Sequence, residues 1–195
     1  MTALCSLIEF QTFEKGQART LNNSYKISSL AVEIIFDEYD MRKLPPRERL
    51  DKIIQILRNE GDESIRWDAV WLAGEITESV QKGDPILIEI ADLLVWVLKY
   101  DNNIIVKHEA SFQIGARNLR DKLPDLINSA MNDKSELVRH ESIEALGLMR
   151  AHEAREKLKE MTKSPSDAVS QTAVFVLKRL DRLINRGEYK VENIV

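Results

Sequence analysis

Two pentapeptides in this chain carry the same chemistry at the same phase. Val106-Lys107-His108-Glu109-Ala110 and Val138-Arg139-His140-Glu141-Ser142 superimpose without a gap at an offset of 32 residues, and Gly115 and Gly147 stand seven residues beyond each histidine. The chain holds 3 histidines, so two in one slot of successive repeats form a pattern rather than scatter. Imidazole nitrogen and carboxylate oxygen are ligands for Fe, Mn or Zn. A mixed N/O set with open positions points to non-haem Fe(II) more than to structural zinc, which takes four closed ligands, often thiolates. His108, Glu109, His140 and Glu141 are therefore the candidate metal ligands. Glu144 follows His140 by one helical turn, where it can ligate or orient that imidazole from behind. Its counterpart one repeat earlier is Phe112, so the two half-sites differ.

Helices must position these groups. Val138, Ser142, Ala145, Leu146 and Met149 recur at helical spacing and predict one buried stripe. At about 100° per residue from Val138, His140 falls near 200°, Glu144 near 240° and Glu141 near 300°. All three are expected on the face away from the stripe, a surface shared with the neighbouring helix. Equivalent helices in a stack pack about 10 Å apart, close enough for two histidines to meet one ion at about 2.0–2.1 Å each.

The repeat extends beyond the two His-Glu blocks. Ile65-Arg66-Trp67-Asp68-Ala69 with Gly74 is a degenerate earlier copy, and Val169-Ser170-Gln171-Thr172-Ala173 a later one. The histidine slot is thus filled by Trp67, His108, His140 and Gln171 in turn. Leu94, Leu126 and Leu158 also fall 32 apart, one per repeat. The wider spacing between Trp67 and His108 is assigned to 77–85, where Lys82-Gly83-Asp84-Pro85 reads as a turn. Helices are expected at 29–40, 47–60, 64–81, 86–99, 104–118, 121–132, 136–149, 152–163 and 167–186, with no convincing strand. The fold class is all-α, an α-solenoid of stacked helical hairpins. Residues 1–28 lack the repeat and read as an N-terminal extension or cap, 29–186 as the repeat domain, and 187–195 as a flexible tail.

Bulk composition narrows the function. Apolar residues at 44% and charged residues at 31% describe a folded, soluble helical chain. A net charge of −4 argues against nucleic acid as the main partner, because phosphate binding wants a basic face. The single cysteine, Cys5, excludes an internal disulfide and any CxxC metal site and fits a reducing cytoplasm. No apolar run approaches the roughly 18 residues of a membrane span, and 1–10 lacks the basic start of a signal peptide. Phosphate loops, GxSxG elbows and Cys-His nucleophile pairs are missing. His152-Glu153 is out of phase and expected to be exposed, and Trp67, Trp71 and Trp96 read as packing residues.

A second reading needs no metal. Arg66/Asp68, Lys107/Glu109 and Arg139/Glu141 can instead form a charge ladder between stacked helices. The chain is then a non-catalytic scaffold that holds a protein partner in its groove.

Over 86–183 the sequence resembles deoxyhypusine hydroxylase, a HEAT-repeat di-iron monooxygenase. The resemblance rests on Val-Lys-His-Glu-Ala-Ser-Phe-Gln-Ile-Gly at 106–115 and Leu-Val-Arg-His-Glu-Ser-Ile-Glu-Ala-Leu-Gly at 137–147, which includes Glu144. It implies an iron cofactor held by His108, Glu109, His140 and Glu141, dioxygen activation, and hydroxylation of the deoxyhypusine side chain on a translation factor. That family carries two halves with two His-Glu motifs each, whereas this chain carries one pair. The resemblance therefore implies a di-iron site completed across a homodimer, the commonest closed oligomer, a single metal, or a chain that has lost catalysis. Generic HEAT-like repeats, including those of phycobilin lyases, are similar as well, but no residue points to a bilin.

Overall fold

The computed structural model describes residues 36–184. Nine α-helices run in order among them: α1 Glu38–Lys43, α2 Pro46–Asn59, α3 Glu63–Ser79, α4 Pro85–Tyr100, α5 Ile104–Ala116, α6 Leu123–Asn132, α7 Glu136–Leu148, α8 Arg155–Met161 and α9 Asp167–Leu183. Short 3-10 turns at Arg120–Lys122 and His152–Ala154 precede α6 and α8. The described residues contain no strand, so the all-α solenoid inferred from the repeat holds. Most of the helix expected at 29–40 lies outside the described residues. Within them helix starts only at Glu38 and continues to Lys43, because Asp37 caps it by accepting from the Asp40 amide at 2.9 Å. The extension at 1–28 and the tail at 187–195 also lie outside the described residues.

Consecutive helices pair as hairpins, and the hairpins stack in two layers. Helices α3, α5, α7 and α9 pack side by side in one layer, with α2, α4, α6 and α8 behind them. Local sequence sets where each helix of the first layer starts. Asp62, Asn103, Ser135 and Ser166 cap α3, α5, α7 and α9, each side chain accepting from a backbone amide of the first turn. Such a cap is worth about 1 kcal/mol. Each lies five residues before Trp67, His108, His140 and Gln171 respectively, so the caps fix the phase of the histidine slot.

Helices α5 and α7 also end alike. Asn118 and Arg150 adopt left-handed backbone, with φ of 51° and 52°. The amides of Leu119 and Ala151 reach back to the carbonyls of Ile114 and Leu146, a closure that satisfies the last turn. The longer first interval comes from longer helices and a four-residue turn at 81–84, where Gly83 takes a φ of 91°.

The stripe of Val138, Ser142, Ala145, Leu146 and Met149 is fully buried, as are Leu94, Leu126 and Leu158 on the second layer. The hydroxyls of Ser111, Ser129 and Ser142 meet at 2.9 and 3.0 Å inside that interface and satisfy one another across α5, α6 and α7. The charge ladder expected between stacked helices from Arg66/Asp68, Lys107/Glu109 and Arg139/Glu141 does not form among those residues. Arg66 pairs with Asp101 at 2.8 Å, Lys107 with Asp133, and Arg139 donates to the Ala130 carbonyl at 3.1 Å. Arg66 and Lys107 reach the turns of the following α4–α5 and α6–α7 pairs and Arg139 reaches back to α6, which leaves Glu109 and Glu141 to the helix–helix seam.

That seam is tight at Gly115. A Cβ there would stand 2.6 Å from the Ala145 Cβ and 2.7 Å from its Cα, whereas at Gly147 it would meet only the Val176 methyls at 3.0 and 3.2 Å. Backbone cannot yield as a valine rotamer can. Gly115→Ala is expected to destabilise by about 1–3 kcal/mol through overpacking. At Gly147→Ala, by contrast, a helix-propensity gain of roughly 1 kcal/mol offsets most of the crowding. Urea unfolding midpoints of the two variants check the contrast.

Candidate metal centre

The site is assembled on the faces of α5 and α7 that meet each other and α9. Cap phase places His108 on α5 and His140, Glu141 and Glu144 on α7. Donor atoms of His140, Glu141 and Glu144 all lie within 4.8 Å of one another. Ligands bound at about 2.0–2.2 Å to one ion are separated by no more than about 4.4 Å, so small side-chain rotations bring this set to coordination distance. His108 reaches the group from the neighbouring repeat, its Nε2 standing 3.0 Å from the Glu141 Oε2. Glu141 therefore lies between the imidazoles of two consecutive repeats.

Burial differs from the sequence expectation in one respect. Glu141 is only 5% exposed, as is Glu109, whereas His140 and Glu144 are half-buried and exposed in part. At about 300° around α7, Glu141 lies nearer the α5 seam than open solvent. Glu109 is brought close to the group but turned differently. Its Oε1 accepts from the Gln113 amide at 2.8 Å, and the Gln113 carbonyl oxygen accepts from the Arg117 guanidinium at 3.1 Å. Burial pushes the Glu109 carboxyl above its usual range, partly countered by that Gln113 bond.

One contributor was not singled out from the sequence. Thr172 on α9 lies 2.7 Å from the His140 Nδ1. Its hydroxyl donates to the Ala168 carbonyl at 2.6 Å, so toward the imidazole it can only accept. Neutral His140 then carries its proton on Nδ1 and bares the Nε2 lone pair, the atom 3.8 Å from Glu144 Oε1. A metal bound through Nε2 would need this tautomer, and an outer partner fixes it in many metal sites. The signal was present: Thr172 occupies the slot of Glu109 and Glu141 in the last repeat.

The residues flanking the centre divide into aromatic and acidic. Trp67 and Trp71 of α3 stack at 5.9 Å between centroids, and Trp71 stacks on Phe112 of α5 at 6.3 Å. Asp68, in the glutamate slot of the first repeat, has its carboxyl raised by burial and by Glu38. His152 and Glu153 stand apart from the cluster, Glu153 pairing with Arg120 at 2.5 Å.

A HEAT-repeat family model matches residues 91–178. Curated deoxyhypusine hydroxylases are similar in sequence: that of Danio rerio is 30% identical over 50% of this chain and 33% of its own length. The Gallus gallus protein is 32% identical over 45% of this chain and 30% of its own. The chain thus matches about a third of the length of these curated relatives. The structure of human deoxyhypusine hydroxylase in complex with glycerol superposes with a TM-score of 0.62 at 23% identity, covering 74% of this chain and 48% of that one. The chain therefore has a HEAT-repeat fold related to deoxyhypusine hydroxylase over part of its length, with a His/Glu cluster able to hold a metal ion. Among the described residues no helix is long and apolar enough to cross a membrane.

The His108–Glu141 contact has a pH signature. The Glu141 hydrogen bond raises the His108 imidazole above its ordinary value of 6.5, against the opposing effect of burial. A raised histidine stabilises the fold fully below its unfolded value, and that stability is lost as pH rises through the folded value. Metal-free protein is expected to weaken as pH climbs from 6.5 through that higher value, and His108→Gln should flatten the slope. Chemical unfolding midpoints across the range check it, and equal slopes in both proteins would remove the pair from the account.

Proposed function

We propose that the chain is an iron-dependent monooxygenase of the deoxyhypusine hydroxylase type, with a di-iron site completed by a second copy of the chain. The observation that carries this reading is the buried Glu141 carboxylate reached by His108 from one repeat and grouped with His140 and Glu144 from the next. Bound iron supplies dioxygen activation for hydroxylating an unactivated C–H bond. His140 presents Nε2 because Thr172 holds its other nitrogen, and Glu109 and Glu141 provide negative charge in a low-dielectric seam, where a cation offsets the cost of their burial. His108 must shed its proton to bind, so metal affinity rises with pH through its titration. The row of Asp68, Glu109, Glu141 and Glu144 beside Trp67, Trp71 and Phe112 suits a cationic aminobutyl side chain on a protein substrate.

A homodimer supplies the second His-Glu pair that the chain itself lacks. Metal analysis with native mass measurement should find about one iron per chain in a dimer. His108→Ala and His140→Ala should each lose the metal while keeping their helical circular dichroism. Protein from iron-replete cells with no metal above background would sink the proposal. Thr172→Val should weaken metal binding by about 10–100-fold, the usual effect of losing an outer partner. Unchanged affinity in that variant would refute the tautomer argument.

A second reading is favoured by the stacked Trp67–Trp71–Phe112 rings, which form a continuous aromatic shelf on the same layer. On this reading the chain is a HEAT-repeat scaffold whose layer of α3, α5, α7 and α9 docks a protein partner without chemistry. Substituting these aromatics would then abolish partner capture while both histidine variants leave it intact.

A further inference from the structure

The turns between α4 and α5 and between α6 and α7 lock one repeat to the next by the same device, and the turn between α8 and α9 lacks half of it. Two residues before the α5 cap, the Asp101 carboxylate accepts the Asn103 amide at 2.8 Å and pairs with Arg66 of the preceding hairpin. Two residues before the α7 cap, Asp133 accepts the Ser135 amide at 2.8 Å and pairs with Lys107. Both cations stand four residues after their own helix cap.

At the α9 cap the equivalent acceptor is Ser164, whose Oγ takes the Ser166 amide at 3.3 Å. The equivalent cation is Arg139, four residues after Ser135. A neutral hydroxyl has replaced the carboxylate while the guanidinium remains. Among the described residues Arg139 makes no ion pair, and its Nε donates to the Ala130 carbonyl.

An open cleft borders both Arg139 and Ser164. Arg139, Lys163 and Ser164 line one open cleft of about 160 Å³ walled by Met131, Met161 and Pro165. Glu160 also lines it, but Lys157 engages both of its oxygens at 3.0 and 3.1 Å. Because Ser164 Oγ accepts from the Ser166 amide, its own O–H is available to donate into the cleft.

We propose that this cleft is an oxyanion site that binds inorganic phosphate, with the Arg139 guanidinium and Ser164 hydroxyl as donors and Lys163 at the rim. The bound anion restores the lock that Asp101 and Asp133 provide internally in the earlier turns. A tetrahedral dianion suits the site because a guanidinium fork engages two of its oxygens while the hydroxyl meets a third.

Thermal unfolding at fixed pH and ionic strength, in phosphate against chloride, tests the assignment. Wild-type protein should gain thermal stability saturably in phosphate. Arg139→Gln should lose that gain, with calorimetric phosphate affinity falling at least about tenfold, as expected for a lost charge-assisted bond. Ser164→Asp should be more stable than wild type in chloride and indifferent to phosphate, because it supplies the carboxylate seen in the other turns. A wild-type protein that does not distinguish phosphate from chloride overturns the proposal. So does a phosphate gain that persists in Arg139→Gln or in Ser164→Asp.

Discussion

The approach of α5 to α7 at Gly115 governs what the rest of the molecule can do. With no side chain on that glycine, the α5 backbone stands in van der Waals contact with Ala145. The fully buried Val106, Ala110 and Ile114 complete the α5 contribution to the core beside the α7 stripe. At this separation His108 reaches across the seam to Glu141, one repeat away, at hydrogen-bond distance. A wider crossing would leave the carboxylate buried and without its imidazole, an arrangement that costs several kcal/mol.

Two buried glutamates in one seam are an electrostatic liability. The structure meets it unequally. Glu141 has the His108 imidazole, which can carry a positive charge, while Glu109 has the neutral Gln113 amide and remains pushed toward its protonated form. Protons or a metal cation are the two ways to neutralise such a pair, and pH chooses between them. The same acids that weaken the metal-free seam are thus the groups that make it receptive to a cation.

Stacking is reinforced at a second level by the turns. Arg66–Asp101 and Lys107–Asp133 tie one hairpin to the next at largely buried positions, and each aspartate also braces the cap of the helix that follows. Caps, ion pairs and the phase of the histidine slot are therefore one mechanical unit. Arg66 and Lys107 serve this lock rather than pairing with the acids of their own slots. The final turn, where Ser164 stands in for aspartate, departs from this plan in charge though not in backbone hydrogen bonding.

Much of the fold was legible in the sequence because a repeat reports its own period. The buried stripe of α7, the three leucines of the second layer and the helix limits at α2 through α9 follow from apolar spacing and capping residues, which are local properties of the chain. The candidate residues were legible for the same reason: His108 and His140 share a slot. Distances between repeats are not local. That Glu141 faces the α5 seam while Glu109 is held by Gln113, that Thr172 sets the tautomer of His140, and that Arg66 and Lys107 pair across turns rather than within their own slots depend on how far apart helices pack. The Gly115–Ala145 contact decides that packing, and no pattern along a single helix encodes the rotamers it selects.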